Sequence, residues 1–176
     1  MLSVSIRGVT NQTRVRVDTE EEALRVIQSL DSNINDGTIY DSSHHFPGVA
    51  KGTTAGMAFR GSGVTSHVLF FINSNATQAA FALHENTALT GAGTTKVVNN
   101  RNRGGVSILT GVSVFHTPVV SSYSGVTLLE GVVNGASMTQ PYSWVFPGGV
   151  TYTLSVRNRK GAAQDFSLRL MWHEVR

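Results

Sequence analysis

The last quarter of the chain limits its possible folds more than any other stretch. From Thr151 to Arg157, Tyr152, Leu154 and Val156 alternate with Thr151, Thr153, Ser155 and Arg157. From Phe166 to His173 the alternation is cleaner, with Phe166, Leu168, Leu170 and Trp172 on one face and Ser167, Arg169, Met171 and His173 on the other. Successive side chains of a strand point to opposite faces, so this period of two marks strands with one face on a core. Asn158-Arg-Lys-Gly161 between them has turn chemistry, and the pair reads as an antiparallel hairpin. A hairpin alone is marginal in water, so the rest of the chain must supply further strands to cover it.

The upstream sequence fits that demand. His67-Val-Leu-Phe-Phe-Ile-Asn73 is a continuous apolar run of strand length, which predicts a central strand buried on both faces. Gln78 to His84 predicts the strand after it, and turn signals recur down the chain at the spacing of a sandwich. His84-Glu-Asn-Thr87 leading to Gly93, and Phe115-His-Thr117 leading to Gly125, form a weak internal echo that two similar hairpins in one sheet explain. Residues 31–63 read as a connection with short strands, turning at Asn35-Asp36-Gly37 and at Phe46-Pro47-Gly48.

The N-terminus differs. Leu2, Val4 and Ile6, then Val15 and Val17, alternate around a turn at Thr10-Asn11-Gln12. Thr19 and Glu22 have capping-box spacing, with acids in the first turn where the helix dipole favours them. Ala23, Leu24, Ile27 and Leu30 give that helix one apolar face, ending near Asp31. The expected architecture is all-β with one short N-terminal helix: an antiparallel, jelly-roll-like β-sandwich over 36–176, preceded by a hairpin-plus-helix segment over 1–35.

Composition narrows the function. The chain has 176 residues, 40% hydrophobic and only 14% charged, which is not the profile of disorder. A net charge of +3 without Lys/Arg-rich runs or interleaved aromatics gives no reason to expect nucleic acid. The absence of cysteine excludes disulfides and thiolate metal sites. No signal peptide and no membrane-spanning run is expected. Six histidines invite a metal, but His44-His45 are adjacent, so a strand points them to opposite faces, and no HxH or HxxxH spacing occurs. Of the eleven acids, five lie between Asp18 and Asp31 as a capped helix with a solvated face, and nothing selects a catalytic pair. No catalytic residue, metal or cofactor is expected, and the chain reads as a non-enzyme.

Two clusters remain. Val97-Val-Asn-Asn-Arg-Asn-Arg-Gly-Gly105 concentrates amides and guanidinium groups between strands. Asparagine and glycine suit a structured loop, while no acid flanks Arg101 and Arg103, so their partners lie elsewhere in the fold or on another chain. Asn99, Asn100, Arg101, Asn102 and Arg103 are therefore candidate interface residues. Tyr142, Trp144 and Phe146 fall at period two, a strand face that serves either as core or subunit packing or as an aromatic contact stripe for sugar.

In order along the chain, His84-Glu85, Gly93-Thr94, Asn99-Asn-Arg-Asn-Arg103, Val114-Phe-His-Thr-Pro118, Ser124-Gly125, Tyr152 to Asn158 and Leu170-x-Trp172-x-Glu174 resemble a group of tailed-bacteriophage virion proteins, small β-sandwiches encoded among head genes. The likeness spans about residues 64–176. It implies a capsid decoration (cement) protein on the virion surface, made in the host cytoplasm and bound to the major capsid protein, with no nucleic-acid or membrane partner. It implies a homotrimer, an N-terminal arm gripping the shell, and Arg7, Arg14 and Arg16 meeting an acidic capsid surface. The alternative is a tail, fibre or carbohydrate-binding sandwich module.

Overall fold

A computed structural model describes residues 8–9, 12–13, 33–74, 78–91, 93–104, 110–122, 125–133 and 138–175, with the backbone alone described at 8–9, 12–13, 119–122 and 138–142. Among the described residues, fifteen strands follow in chain order: β1 (Gly8–Val9), β2 (Gln12–Thr13), β3 (Ile39–Val49), β4 (Thr54–Gly61), β5 (Thr65–Ser74), β6 (Ala79–Glu85), β7 (Ala88–Gly91), β8 (Thr94–Lys96), β9 (Asn99–Asn100), β10 (Val112–His116), β11 (Val119–Ser122), β12 (Val126–Val133), β13 (Met138–Phe146), β14 (Thr151–Asn158) and β15 (Gln164–Val175). A helical turn at 33–35 precedes β3. The helix expected over 19–31 lies outside the described residues.

The strands form a six-stranded sheet, ordered β12-β6-β14-β4-β10-β8, and a five-stranded sheet, ordered β13-β5-β15-β3-β9, with β7 and β11 pairing separately. The pairings nest: β6 with β12, β5 with β13, β4 with β14 and β3 with β15, all antiparallel. One long two-stranded ribbon therefore wraps around a core so that successive segments fall in opposite sheets, which is the jelly roll. The 86–125 segment is inserted at the ribbon's tip. It runs back along the molecule, adding β8 and β10 beyond β4 and adding β9 beyond β3. The expected sandwich is thus the observed one.

Phe166, Leu168, Leu170 and Trp172 all point inward and are 2% exposed or less, as their alternation predicts. Tyr152, Leu154 and Val156 meet them from the facing sheet. Phe146 stacks on Tyr152 with centroids 3.7 Å apart and planes 3° apart, and Phe59 packs edge-on against Trp172. Burial and a hydrogen bond to Glu85 push the Tyr152 phenol well above its ordinary value.

Two expectations change. Residues 31–63 are not a loose connection: β3 and β4 are long inner strands of their sheets. The inward positions of β3 are Tyr40, Ser42, His44 and Phe46, where the two polar residues interrupt the apolar stripe, and those of β4 are Ala55, Met57 and Phe59, a period-two stripe set among glycines and small residues. Phe46-Pro47-Gly48 falls inside β3, where the register against β15 shifts and Gly48 takes φ 61°. The second change concerns β5, whose burial alternates instead of being complete on both faces. Val68, Phe70 and Ile72 are in the core, but Leu69 and Phe71 face outward and are half-exposed.

Nor do the expected hairpins form: β14 pairs with β4 and β6 while β15 pairs with β3 and β5, so the 158–161 turn crosses between the sheets, and in the echo β6 pairs with β12 and β14 while β10 pairs with β4 and β8. What the echo shares is how each strand ends. β6 and β10 share the six-stranded sheet, and each is followed by a left-handed residue, Asn86 at φ 55° and Thr117 at φ 54°. At the N-terminus, Val9 pairs with Gln12 and Gly8 with Thr13, antiparallel.

Candidate functional site

Period two sends β5, β13 and β15 residues of one parity out of the five-stranded sheet. In register they place Met171 beside Leu69, Arg169 beside Phe71, His173 beside His67, and His67 beside Val145. The result is an apolar centre made of Leu69, Phe71 and Met171, with Val145 57% exposed at its margin. Arginine and histidine surround it. The Arg169 guanidinium lies 5.8 Å from the Phe71 ring centroid and makes a 2.7 Å ion pair with Asp41. Burial first, and then His67, hold the His173 imidazole below its ordinary value, with Glu174 opposing. The strand carboxylates here are occupied: Asp41 by Arg169, and Asp165 by the Gly48 amide at 2.7 Å. The face therefore offers apolar, aromatic and cationic groups with little free negative charge. Enrichment in Met, aromatics and Arg, with Lys and Glu depleted, is the composition of protein–protein interface cores.

The NNRNR loop forms one corner of this face. β9 pairs Asn99 with Asp41 and Asn100 with Tyr40, so Asn99 is exposed and Asn100 turns inward. Asn100 Nδ2 donates to the Gly37 carbonyl at 2.8 Å, and its Oδ1 accepts the Asn102 amide at 2.8 Å. Asn102 Nδ2 donates to the Asn35 carbonyl at 2.7 Å. The two inner amides thus tie the loop to the chain's own 33–40 segment. Arg101 reaches across β3 to Met171, its guanidinium nitrogen 3.1 Å from Sδ. Arg103 is exposed. Arg7, Arg14 and Arg16 lie outside the described residues.

The aromatic stripe is split by burial. Phe146 is 1% exposed and belongs to the core, and Trp144 is half-buried against it. Neither presents a flat ring to a sugar, because β13 turns this parity toward the opposite sheet. Tyr142 lies in β13 opposite Phe70; its side chain is outside the described residues.

A second concavity, about 430 Å³, lies on the six-stranded sheet and is lined by Ala82, Ser155, His84, Glu130, Arg157 and Arg159 among others. His84 Nδ1 is 3.2 Å from Thr127 Oγ1; burial holds this imidazole below its ordinary value, with Glu130 opposing. Among the described residues, no three His, Asp or Glu side chains are grouped to hold a metal ion.

Sequence reasoning missed Leu69, Phe71, Met171, Arg169 and Val145 as site residues. The available signal was β5 itself: an apolar run in both parities shows either double burial or an apolar outer face. Only the position of β5 in a sheet whose outer face no described residue covers decides between them.

No protein-family model and no curated protein matches the chain. Among solved structures it is similar to the infectious bursal disease virus VP2 subviral particle, at 12% identity and TM-score 0.21, covering 78% of this chain and 41% of that one. The T13 infectious bursal disease virus particle is similar at 12% identity and TM-score 0.19, covering 78% and 39%. The chain spans about two fifths of the length of these viral proteins. Likeness at this level carries no argument about activity.

Proposed function

We propose that the chain is a non-enzymatic virion structural protein that docks on a protein shell through the outer face of its five-stranded sheet. The observation that carries this reading is that face: half-buried Leu69 and Phe71, with Met171 9% exposed next to Arg101, ringed by Arg101, Arg169, His67 and His173 on a jelly-roll frame. Such a surface suits an acidic, partly apolar protein partner. In the finer form of the proposal the partner is the major capsid protein of a tailed phage, the role is decoration of the capsid exterior, and the working unit is a homotrimer. Many copies on one lattice make individually weak contacts effective. The order of motifs between His84 and Glu174 supports the phage assignment. The test is the copy number of this chain in purified particles, by quantitative mass spectrometry against the major capsid protein. A ratio near one per capsid subunit supports decoration; a few to a few dozen copies moves the chain to tail, fibre or vertex; absence from particles ends the virion reading.

A second reading, a glycan-binding module of a tail or fibre, draws support from the groove beside His84, Glu130, Arg157 and Arg159. It predicts glycan-array binding that Arg157→Ala abolishes and Trp144→Ala leaves intact.

A further inference from the structure

Residues 94–103 form a strap across one open edge of the sandwich. β8 ends the six-stranded sheet, β9 ends the five-stranded sheet, and Val97-Val98 alone cross between them. Ser42 Oγ donates to the Val97 carbonyl at 2.9 Å, which fastens the crossing to β3.

At this crossing His44 of β3 stacks on His116 of β10, with centroids 3.7 Å apart and planes 21° apart. The two rings come from different sheets, so the stack is a contact across the sandwich edge. Lys96 of β8 places Nζ 3.2 Å from His44 Nδ1. An ammonium has only donors, so the nitrogen it meets carries the lone pair and the His44 ring is neutral. Phe46 closes the cluster edge-on at 4.5 Å from His44. His45, next on β3, points to the other face and bonds Ser167 Oγ at 3.0 Å. The register partner of His44 on β15 is Leu168, which is apolar. Every charged neighbour that acts on His44, namely His116, Lys96 and His45, is basic.

We propose that this stack is an acid-opened latch: protonation of His44 releases the strap 94–103 from the five-stranded sheet while the jelly roll stays folded. An imidazolium at His44 faces the Lys96 ammonium carried by the strap, and separation of the strap from β3 relieves that repulsion. Burial first, and then His116, hold the His44 imidazole below its ordinary value of 6.5, so the closed form binds fewer protons than an open one. The closed form therefore carries no penalty above the ordinary imidazole range, and the penalty grows as pH falls through it. Asn100 and Arg101 lie on the strap, so the Arg101–Met171 corner of the docking face opens with the latch. The latch rests on these side chains and holds whatever surface the face meets.

The test is hydrogen exchange of the full chain at pH 7.5 and 5.5, with rates corrected for the intrinsic pH dependence of amide exchange. Amides of 94–101 are expected to lose protection roughly tenfold or more at the lower pH, while β5 and β15 keep theirs. His44→Phe keeps a ring in the stack but cannot be protonated, and it is expected to remove the pH response; His44→Gln serves if that variant does not fold. Equal strap protection at both pH values, loss shared with β5 and β15, or an undiminished response in the ring-preserving variant would overturn the latch.

Discussion

At Asn100 one side-chain amide satisfies two backbone sites, the Gly37 carbonyl and the Asn102 amide. Truncation leaves both buried or half-buried groups without that partner, so Asn100→Ala should cost about 1–3 kcal/mol in urea unfolding, while exposed Arg103→Ala should stay within about 0.5 kcal/mol. Glu174 has a comparable role near the same end of the sheet, where its amide donates to the Thr38 carbonyl. It is 1% exposed, and its carboxylate accepts the Thr110 hydroxyl, the Gly111 amide at 3.0 Å and the Trp172 indole N–H at 3.4 Å. Glu174→Gln turns an acceptor into a partial donor facing donors, and should cost about 1.5–3 kcal/mol by the same measurement. Thr153 is the opposite case: its hydroxyl is buried without a hydrogen-bond partner among the described residues. Thr153→Val should be neutral or stabilising by up to about 1 kcal/mol, since it removes an unsatisfied polar atom. None of these roles is visible in the sequence, where Asn100 reads as a candidate interface residue and Glu174 as part of the closing Leu170-x-Trp172-x-Glu174 motif.

At the scale of elements, β15 and β5 do two jobs with opposite parities. Their inner residues fill the core, and Trp172→Ala should cost about 3–5 kcal/mol through the cavity it leaves. Their outer residues make the candidate docking face, where stability and binding separate. Leu69→Asp places a charge at the centre of that face without entering the core. It should abolish particle binding in a sedimentation assay while leaving the unfolding midpoint nearly unchanged. Arg101→Ala with Arg169→Ala should weaken binding and flatten its salt dependence, because the lost terms are charge–charge contacts with an acidic surface. The Arg169–Asp41 pair is largely solvated, so its loss alone should cost less than about 1 kcal/mol of stability. Loss of binding with intact stability assigns the face to docking; parallel losses of both would mark it as structural packing.

At the scale of the whole molecule, the sequence by itself determined the class of fold. Alternation in 151–157 and 166–173 and turns between short apolar runs dictate antiparallel strands around one core, although the turn at Asn158 joins two sheets instead of closing a hairpin. That information is local, because the period of two follows from backbone geometry wherever a strand has one buried face. The jelly-roll nesting, the long strands β3 and β4 and the return of 86–125 to both sheet edges were decided only in the tertiary structure. β3 places Ser42 and His44 between Tyr40 and Phe46 on its inner face, and an apolar rhythm broken at two successive inward positions is hard to read. The candidate site divides the same way. Arg101 stood out as a cation without a nearby acid, but its contact is Met171, seventy positions away in sequence. His44, His116 and Lys96 show no motif, since three strands from two sheets bring them together. Sequence sets which residues can face inward or outward, because that depends on neighbours one and two positions away. Which outward faces remain uncovered, and which distant side chains meet across a sheet edge, follows from how the ribbon wraps.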